Sequence, residues 1–237
     1  MIEPAHSELP PSSSDKWIKC FGWLKANRGI ESKTSAAAEE GTLAHEHFEK
    51  ALKGELDLAE LENAEMSDYL QSCVDWVDYE AEKMGALYQH AETRVDFGSK
   101  FGYVGLTGTA DLILVSDDEI LIGDLKYGRG LVEAKGNTQM LTYLVGAVEM
   151  FGPRKQYTLA ILQPRGNHFD GPIRTATVTP DELKEFEAVL EKAIAMNYAD
   201  GPYTVGAHCR NYCAAIGKCR AVAAHSLRLF QANPIEE

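Results

Sequence analysis

The sequence predicts an α/β (α+β) domain in which helices flank a central mixed β-sheet. Its 237 residues, 45% hydrophobic and 25% charged, are ordinary for a globular protein with a sizeable core. The apolar residues have the spacing of helices in the early and late parts of the chain and mainly that of strands between them. The resulting order is helix, helix, three strands, helix, two strands, helix, without internal repeats, which favours one domain over residues 1–237.

The first elements are an arm and two helices. Residues 1–14 are rich in Pro and Ser and predict an irregular arm, to which we assign no function. Residues 35–53 place small and apolar side chains at three- and four-residue steps, as expected of a helix. A second helix is predicted over 64–88, and Cys73 lies in its mostly apolar stripe, which indicates a core residue.

The central segment predicts the sheet. Residues 92–97, 109–115 and 119–126 have the pattern of strands, and the turn at 116–118 indicates that the last two form a hairpin. The catalytic sheet core is expected over 91–178.

The later elements have clear boundary signals. A helix over 137–150 should stop at Gly152-Pro153, and 157–163 is a further strand. Thr179, Pro180 and Glu182 predict a capped helix start, with the helix running to about residue 199. A short basic helix over about 220–230 ends the pattern.

The charge is unevenly distributed. The net charge is −13, yet residues 120–176 carry seven Lys/Arg against four Asp/Glu, and 201–235 carry four Arg/Lys and no acid. A local basic patch can steer a polyanion to an acidic protein. The alternative is a solvated acidic face with chance clustering.

The sequence indicates a cytoplasmic protein that does not bind membranes. No run approaches the roughly 18–20 apolar residues of a membrane span, and the N-terminus has no apolar signal-peptide stretch.

Besides Cys73, four cysteines remain, at 20, 209, 213 and 219. A disulfide framework is not expected in a reducing compartment. The late three are spaced C-x3-C-x5-C, which is typical of metal or cluster ligation. An iron–sulfur cluster, zinc and free thiols are the alternatives, and zinc patterns usually begin with C-x2-C, which is absent.

Two carboxylates and a lysine suggest the chemistry. Asp111 ends the stretch from Gly108 on one strand, and Asp124 lies near the end of the next. Neighbouring strands lie about 4.8 Å apart, so both carboxylates can face one hard cation such as Mg²⁺ or Mn²⁺. Lys126 points to the same face as Asp124 and can stabilise charge on a phosphate. Alone, a D-x-K pattern is more often a surface ion pair.

Further residues accompany this pattern. Gln139 and Tyr143 lie four residues apart on the following helix, after a glycine-flanked loop that contains Arg129. His45 lies on the early helix, one turn after Gly41, although a lone helix histidine is more often structural than a ligand.

Together these motifs resemble the RecB-like branch of the PD-(D/E)XK nuclease superfamily: a helix histidine, a G-x-x-D strand, a D/E-x-K strand and a Q-x-x-x-Y helix. One early and three late cysteines resemble its iron–sulfur subgroup, which includes CRISPR-associated RecB-like exonucleases and AddB-type nuclease subunits. A phage and prophage family in that subgroup is similar over about residues 7–219, in the stretches 10–14, 17–20, 41–46, 108–111, 123–130, 137–143 and 163–165.

The resemblance implies a restriction-endonuclease-like core and a set of site residues. It implies that the metal is held by four groups: His45, Asp111, Asp124 and the Leu125 carbonyl. It implies that Lys126 is the catalytic lysine, beside the catalytic Asp111 and Asp124. It assigns DNA binding or support of the site to Gln139, Tyr143, Arg129 and Glu92, of which Glu92 is the weaker candidate.

The resemblance also implies a 4Fe-4S cluster held by Cys20, Cys209, Cys213 and Cys219. The cluster segments would be residues 15–34 and 201–231, so that a clip joins the two ends of the chain. The x3 spacing departs from the commoner x2, which puts the cluster geometry in question but keeps the number of ligands.

The expected function is that of a DNA exonuclease that hydrolyses phosphodiester bonds with Mg²⁺ or Mn²⁺. The resemblance to phage proteins implies that it processes single-stranded DNA or duplex ends for recombination or replication, with a recombinase or single-strand-binding protein as partner. A catalytically silent DNA-binding iron–sulfur module and a zinc-stabilised structural protein are the alternatives.

Overall fold

A computed structural model describes residues 7–30, 36–210 and 213–232 of the chain. The parts of the predicted cluster segments at 31–34 and 211–212 lie outside the described residues. The described helices are α1 (Ser14–Trp17), α2 (Trp23–Asn27), α3 (Ala36–Leu52), α4 (Ala64–Met84), α5 (Thr138–Phe151), α6 (Pro180–Tyr198), α7 (Ala207–Arg210) and α8 (Arg220–Ala232). None of these helices combines the length and the apolar character that crossing a membrane requires.

The described strands form one five-stranded sheet in the order β1-β2-β3-β4-β5. The strands are β1 (Tyr88–Asp96), β2 (Thr107–Val115), β3 (Glu119–Leu125), β4 (Gln156–Leu162) and β5 (Ile173–Val178). Strands β3 and β4 pair in parallel, because α5 carries the chain between them, and the other pairs are antiparallel. The predicted mixed sheet flanked by helices is therefore confirmed.

Alternating side chains of the sheet pack into two cores. Ile113 and Ile120 point to the face that is covered by α5, α6 and the N-terminal segment. Leu112, Leu114 and Leu121 point to the opposite face, under α3 and α4. Both faces of the central strands are buried, so the sheet is a middle layer. Cys73 is fully buried in the second core, as predicted.

The boundaries of the elements follow their capping residues. Thr179 and Glu182 form the predicted capping box, and α5 ends at Gly152 as predicted. Helix α4 is shorter than predicted, because Gly85 caps it in the left-handed conformation at φ 58°. Strand β1 consequently starts at Tyr88, four residues before the predicted strand.

The N-terminal segment differs from the predicted irregular arm. Of the predicted arm, residues 1–6 lie outside the described residues. Residues 7–10 are irregular, after which Pro11–Ser13 form a 3-10 turn and α1 begins. Leu9 and Pro11 are buried, because Pro11 packs against Gly108 of β2, where a side chain would collide with the proline ring. The segment is thus a fixed part of the sheet's surroundings.

Candidate active site

The adjacent ends of β2 and β3 bring Asp111 and Asp124 together. These strands pair from Val115 and Ile120 to Leu112 and Gly123, so the next position outward in the same register holds the two aspartates. Both carboxylates are buried, and one oxygen of Asp111 accepts a hydrogen bond of 2.7 Å from the N–H of Leu125. The hairpin thus places two buried carboxylates at one end of the sheet.

His45 reaches this pair from α3. Its Nε2 lies 3.2 Å from Oδ2 of Asp111, and its Nδ1 is 2.8 Å from the carbonyl oxygen of Gly41. Burial lowers the pKa of His45, but the hydrogen bond to Asp111 and the charge of that carboxylate outweigh the effect and raise the pKa to about 9. Without a bound cation, His45 is therefore the positive partner of Asp111 at neutral pH.

Lys126 forms the equivalent pair with Asp124. Its Nζ lies 2.6 Å from Oδ2 of Asp124 and donates a hydrogen bond of 3.2 Å to Oε1 of Gln139. The amide of Gln139 donates to Oδ1 of Asp124 at 2.9 Å and to the Tyr143 hydroxyl at 3.2 Å. Gln139 and Tyr143 therefore hold the lysine and the carboxylate from the first turns of α5, on one helix face.

Asp124 is a buried carboxylate whose ionised form is disfavoured by the fold. Burial raises its pKa to about 6; the charge of Lys126 opposes this shift and that of Asp111 adds to it. Its Oδ2 is buried, and the ammonium of Lys126 faces it at 2.6 Å. A buried carboxylate is costly unless it is paired, and Lys126 supplies that partner.

Glu92 lies next to the site on β1. Thr93 pairs with Ala110 and Ala91 with Leu112, so Glu92 is opposite Asp111. Its φ of 47° lies in the left-handed region, where a non-glycine residue is strained. Burial raises its pKa to about 7, and the charge of Asp111 adds to this shift. Glu92 therefore adds a third carboxyl beside His45 and Asp111.

Leu125 is the last residue of β3, and Arg129 lies shortly after it. Leu125 is fully buried, and its N–H contacts Asp111, so its backbone belongs to the site. Arg129 is exposed in the loop that follows, and the described structure gives it no hydrogen bond or ion pair with a site residue. The structure does not bring Arg129 to the carboxylates.

Gln163 and Arg174 were not identified as site residues from the sequence, although they fix the loop after β3. The buried amide of Gln163 donates to the carbonyls of Gly128 and Gly130 at 2.9 and 2.7 Å. Its oxygen accepts from Arg174 at 2.6 Å and from the N–H of Val132 at 3.2 Å. The only sequence signal was the stretch 163–165 within the resemblance, which did not reveal this role.

Cys20 lies near Cys209 and Cys213, where the N-terminal and C-terminal segments meet. Cys20 lies close enough to Cys209 and Cys213 for their charges to raise its pKa, although burial is the larger cause. The N–H of Gly22 donates to the carbonyl of Pro202 at 3.2 Å, which ties the segments together. Cys219 lines a cavity of about 230 Å³ beside Ala26 of α2. All four thiols are free, as is that of Cys73, whose pKa burial raises to about 12.

The described residues contain no group of three or more His, Cys, Asp or Glu side chains arranged to hold a metal ion. At the strand ends, His45 pairs with Asp111 and Lys126 pairs with Asp124. The two carboxylates are thereby engaged in separate ion pairs.

The fold and the site define an α+β protein with two buried ion pairs at the ends of adjacent strands. Residues 6–236 match a family described as "Protein of unknown function (DUF2800)", and the chain belongs to that family. A solved structure described as "Crystal structure of SSO0001" is similar, with a TM-score of 0.41 and 12% identity, over 93% of this chain and 89% of that chain. Neither description states an activity.

Proposed function

We propose that this protein is a divalent-metal-dependent deoxyribonuclease of the RecB-like PD-(D/E)XK type, acting as an exonuclease. The observation that carries the proposal is the meeting of two buried carboxylates, Asp111 and Asp124, at adjacent strand ends, with the Lys126 ammonium 2.6 Å from Oδ2 of Asp124. Purely structural ion pairs need no such arrangement, since burying carboxylates is costly unless their oxygens are satisfied.

The donors are carboxylate and carbonyl oxygens and an imidazole, which are ligand types that bind a hard cation such as Mg²⁺ or Mn²⁺. His45, Asp111, Asp124 and the Leu125 carbonyl would hold it. A cation bound by these groups supplies stabilisation of charge on the phosphate and lowers the pKa of a coordinated water. Because ligands must be unprotonated, His45 would give up the proton that Asp111 stabilises, so metal binding should release a proton.

Lys126 is the proposed catalytic lysine. Its side chain is 26% accessible and lines an open groove, so a phosphate in that groove would lie beside it. Positive charge that is fixed where negative charge develops lowers the barrier to phosphodiester hydrolysis. Gln139 accepts from Lys126 and donates to Asp124, so it would hold both groups in their relative positions.

We further propose that Cys20, Cys209, Cys213 and Cys219 hold a 4Fe-4S cluster. The supporting observation is the proximity of Cys20 to Cys209 and Cys213, which are far apart from it in sequence. Such a clip would fix the basic C-terminal segment relative to the N-terminal segment. In this proposal the protein processes DNA ends in phage-type recombination or replication, beside a recombinase or a single-strand-binding protein.

Digestion of end-labelled single-stranded and duplex DNA with Mg²⁺ or Mn²⁺ tests the activity. Lys126→Ala should remove cleavage, while Lys155→Ala should retain it. Lys155 is a matched control because it pairs with Asp118 at the opposite end of β3. Equal cleavage by both variants would exclude Lys126 from catalysis. DNA binding without cleavage by the wild type would favour the catalytically silent module.

A further inference from the structure

A groove of about 550 Å³ opens beside Lys126. One wall is the N-terminal segment from Ser12 to Lys19, and the other is the chain from Leu131 to Gln139, which leads into α5. Lys126 and Gln139 line its inner end, so the groove is continuous with the proposed catalytic lysine.

The groove is basic, although the protein as a whole is strongly acidic. Four lysines line it against two acids. Lys16 is buried and pairs with Asp15 at 2.9 Å, and Glu133 contacts Nε2 of His168 at 3.0 Å. The remaining lysines on the two walls, at 19 and 135, are exposed. They therefore present positive charge to whatever enters the groove.

The wall formed by the N-terminal segment is held in place by several contacts. The Ser14 hydroxyl lies 2.8 Å from that of Thr138, a contact that joins the two walls. The buried indole of Trp17 donates to the carbonyl of Pro10 at 2.9 Å, and Asn197 donates to the carbonyl of Trp17 at 2.9 Å. Because these walls are already fixed, they lose little conformational freedom when a ligand binds.

The lysines, rather than backbone amides, supply the positive charge. The side chain of Asn137 accepts hydrogen bonds from the N–H groups of Gln139 and Met140, so these amides of the α5 N-terminus are already satisfied. Lys19 and Lys135 lie on opposite walls, an arrangement that suits a chain of phosphates passing between them.

We propose that this groove binds the sugar-phosphate backbone of a single nucleic-acid strand next to the scissile phosphate, with Lys19 and Lys135 each contacting a phosphate. The inference rests on the proposed nuclease function and adds the form of the substrate to it. The groove has the volume of a site for a small ligand, which suits a short strand segment. Basic grooves that follow the backbone are the usual means of binding single strands.

The test is the salt dependence of binding to a short fluorescent oligothymidylate, measured by anisotropy in EDTA so that no cleavage occurs. The double variant Lys19→Ala/Lys135→Ala should reduce the slope of log K against log[salt] by about 1.4, since each single-strand phosphate contact contributes about 0.7. The control Lys25→Ala/Lys155→Ala removes the same charge from exposed ion pairs with Asp200 and Asp118 and should keep the slope.

An unchanged slope in the groove variant, or an equal loss in the control, would overturn the groove assignment. So would the absence of oligothymidylate binding by the wild type, or an equal loss of slope on a closed hairpin duplex, which would place duplex DNA on these lysines. Cleavage with Mn²⁺ is measured separately on the same preparations. Groove-dependent binding without cleavage would therefore refute the nuclease proposal and support the groove assignment. Cleavage without groove-dependent binding would support the nuclease proposal and refute the groove assignment.

Discussion

Replacing Asp124 by asparagine should make the protein more stable at neutral and alkaline pH in the absence of divalent metal ions. The substitution keeps the shape of the side chain and removes its charge. Asp124 is 2% exposed, and burial is the largest influence on its pKa, ahead of the opposing charge of Lys126. The ionised carboxylate is therefore disfavoured in the folded protein even with Lys126 beside it.

The size of the effect follows from the shift in pKa. The pKa rises from 3.8 to about 6 on folding, and each unit is worth about 1.36 kcal/mol, so the ionised Asp124 costs about 3 kcal/mol. Because the folded pKa of this acid is the higher one, the cost is full above about pH 6. The cost declines as the pH falls and is absent below 3.8.

Thermal and urea unfolding of the wild type and Asp124→Asn, in EDTA at pH 8 and pH 4, measures this difference. At pH 8 the variant should melt roughly 6–12 °C higher, since a chain of this length shifts by about 2–4 °C per kcal/mol. At pH 4 the gap should nearly close. Asp118→Asn, in an exposed ion pair with Lys155, is the control and should not shift. A lower stability of Asp124→Asn at pH 8 would refute the reasoning, because it would mean that Lys126 stabilises the carboxylate more than burial destabilises it.

Three further predictions concern other parts of the molecule. In Asp111→Asn the pKa of His45, measured by NMR, should fall from about 9, because burial then opposes only the Gly41 carbonyl and the charge of Asp124; the stabilisation by this pair is full below pH 6.5 and is lost as the pH rises through about 9. Gln163→Ala should lower the free energy of unfolding by about 1–3 kcal/mol in urea titrations, since four hydrogen-bonding groups lose their partner and the bond to Arg174 is buried; an unchanged midpoint would contradict this. Cys20→Ser should contain far less iron and acid-labile sulfide per chain than Cys73→Ser, because Cys73 is enclosed in the apolar core; equal contents would show that Cys20 is not a ligand.

The sheet and the carboxylate pair could be predicted from the sequence because their signals are local. The turn at 116–118 joins two strands with continuous apolar runs, and it fixes a register in which Asp111 and Asp124 meet. The position of Lys126 beside Asp124 follows from the two-residue period of a strand. Gln139 and Tyr143 share a face because they are four residues apart on a helix.

Other features depend on contacts between residues that are distant in sequence. Nothing near Gln163 in the sequence indicates that it fills a loop 33 to 35 residues earlier. The left-handed φ of Glu92 arises at a position where β1 passes Asp111, and glutamate has no local preference for that conformation. The Pro- and Ser-rich N-terminus suggested an irregular arm, whereas Pro11 is fixed by a glycine of β2 that only the folded chain brings to it.

The measurement that tests the nuclease proposal most directly is the initial rate of cleavage of labelled linear DNA as Mn²⁺ is added to metal-free protein. The wild type should show no cleavage in EDTA and a rate that rises to saturation with Mn²⁺. Asp124→Asn should be slower by at least about 10²-fold, as expected when a group that stabilises the transition state is lost. Since this variant is predicted to be the more stable protein, unfolding could not explain the loss. Cleavage by Asp124→Asn at the wild-type rate, or a wild-type rate that EDTA does not change, would contradict the account.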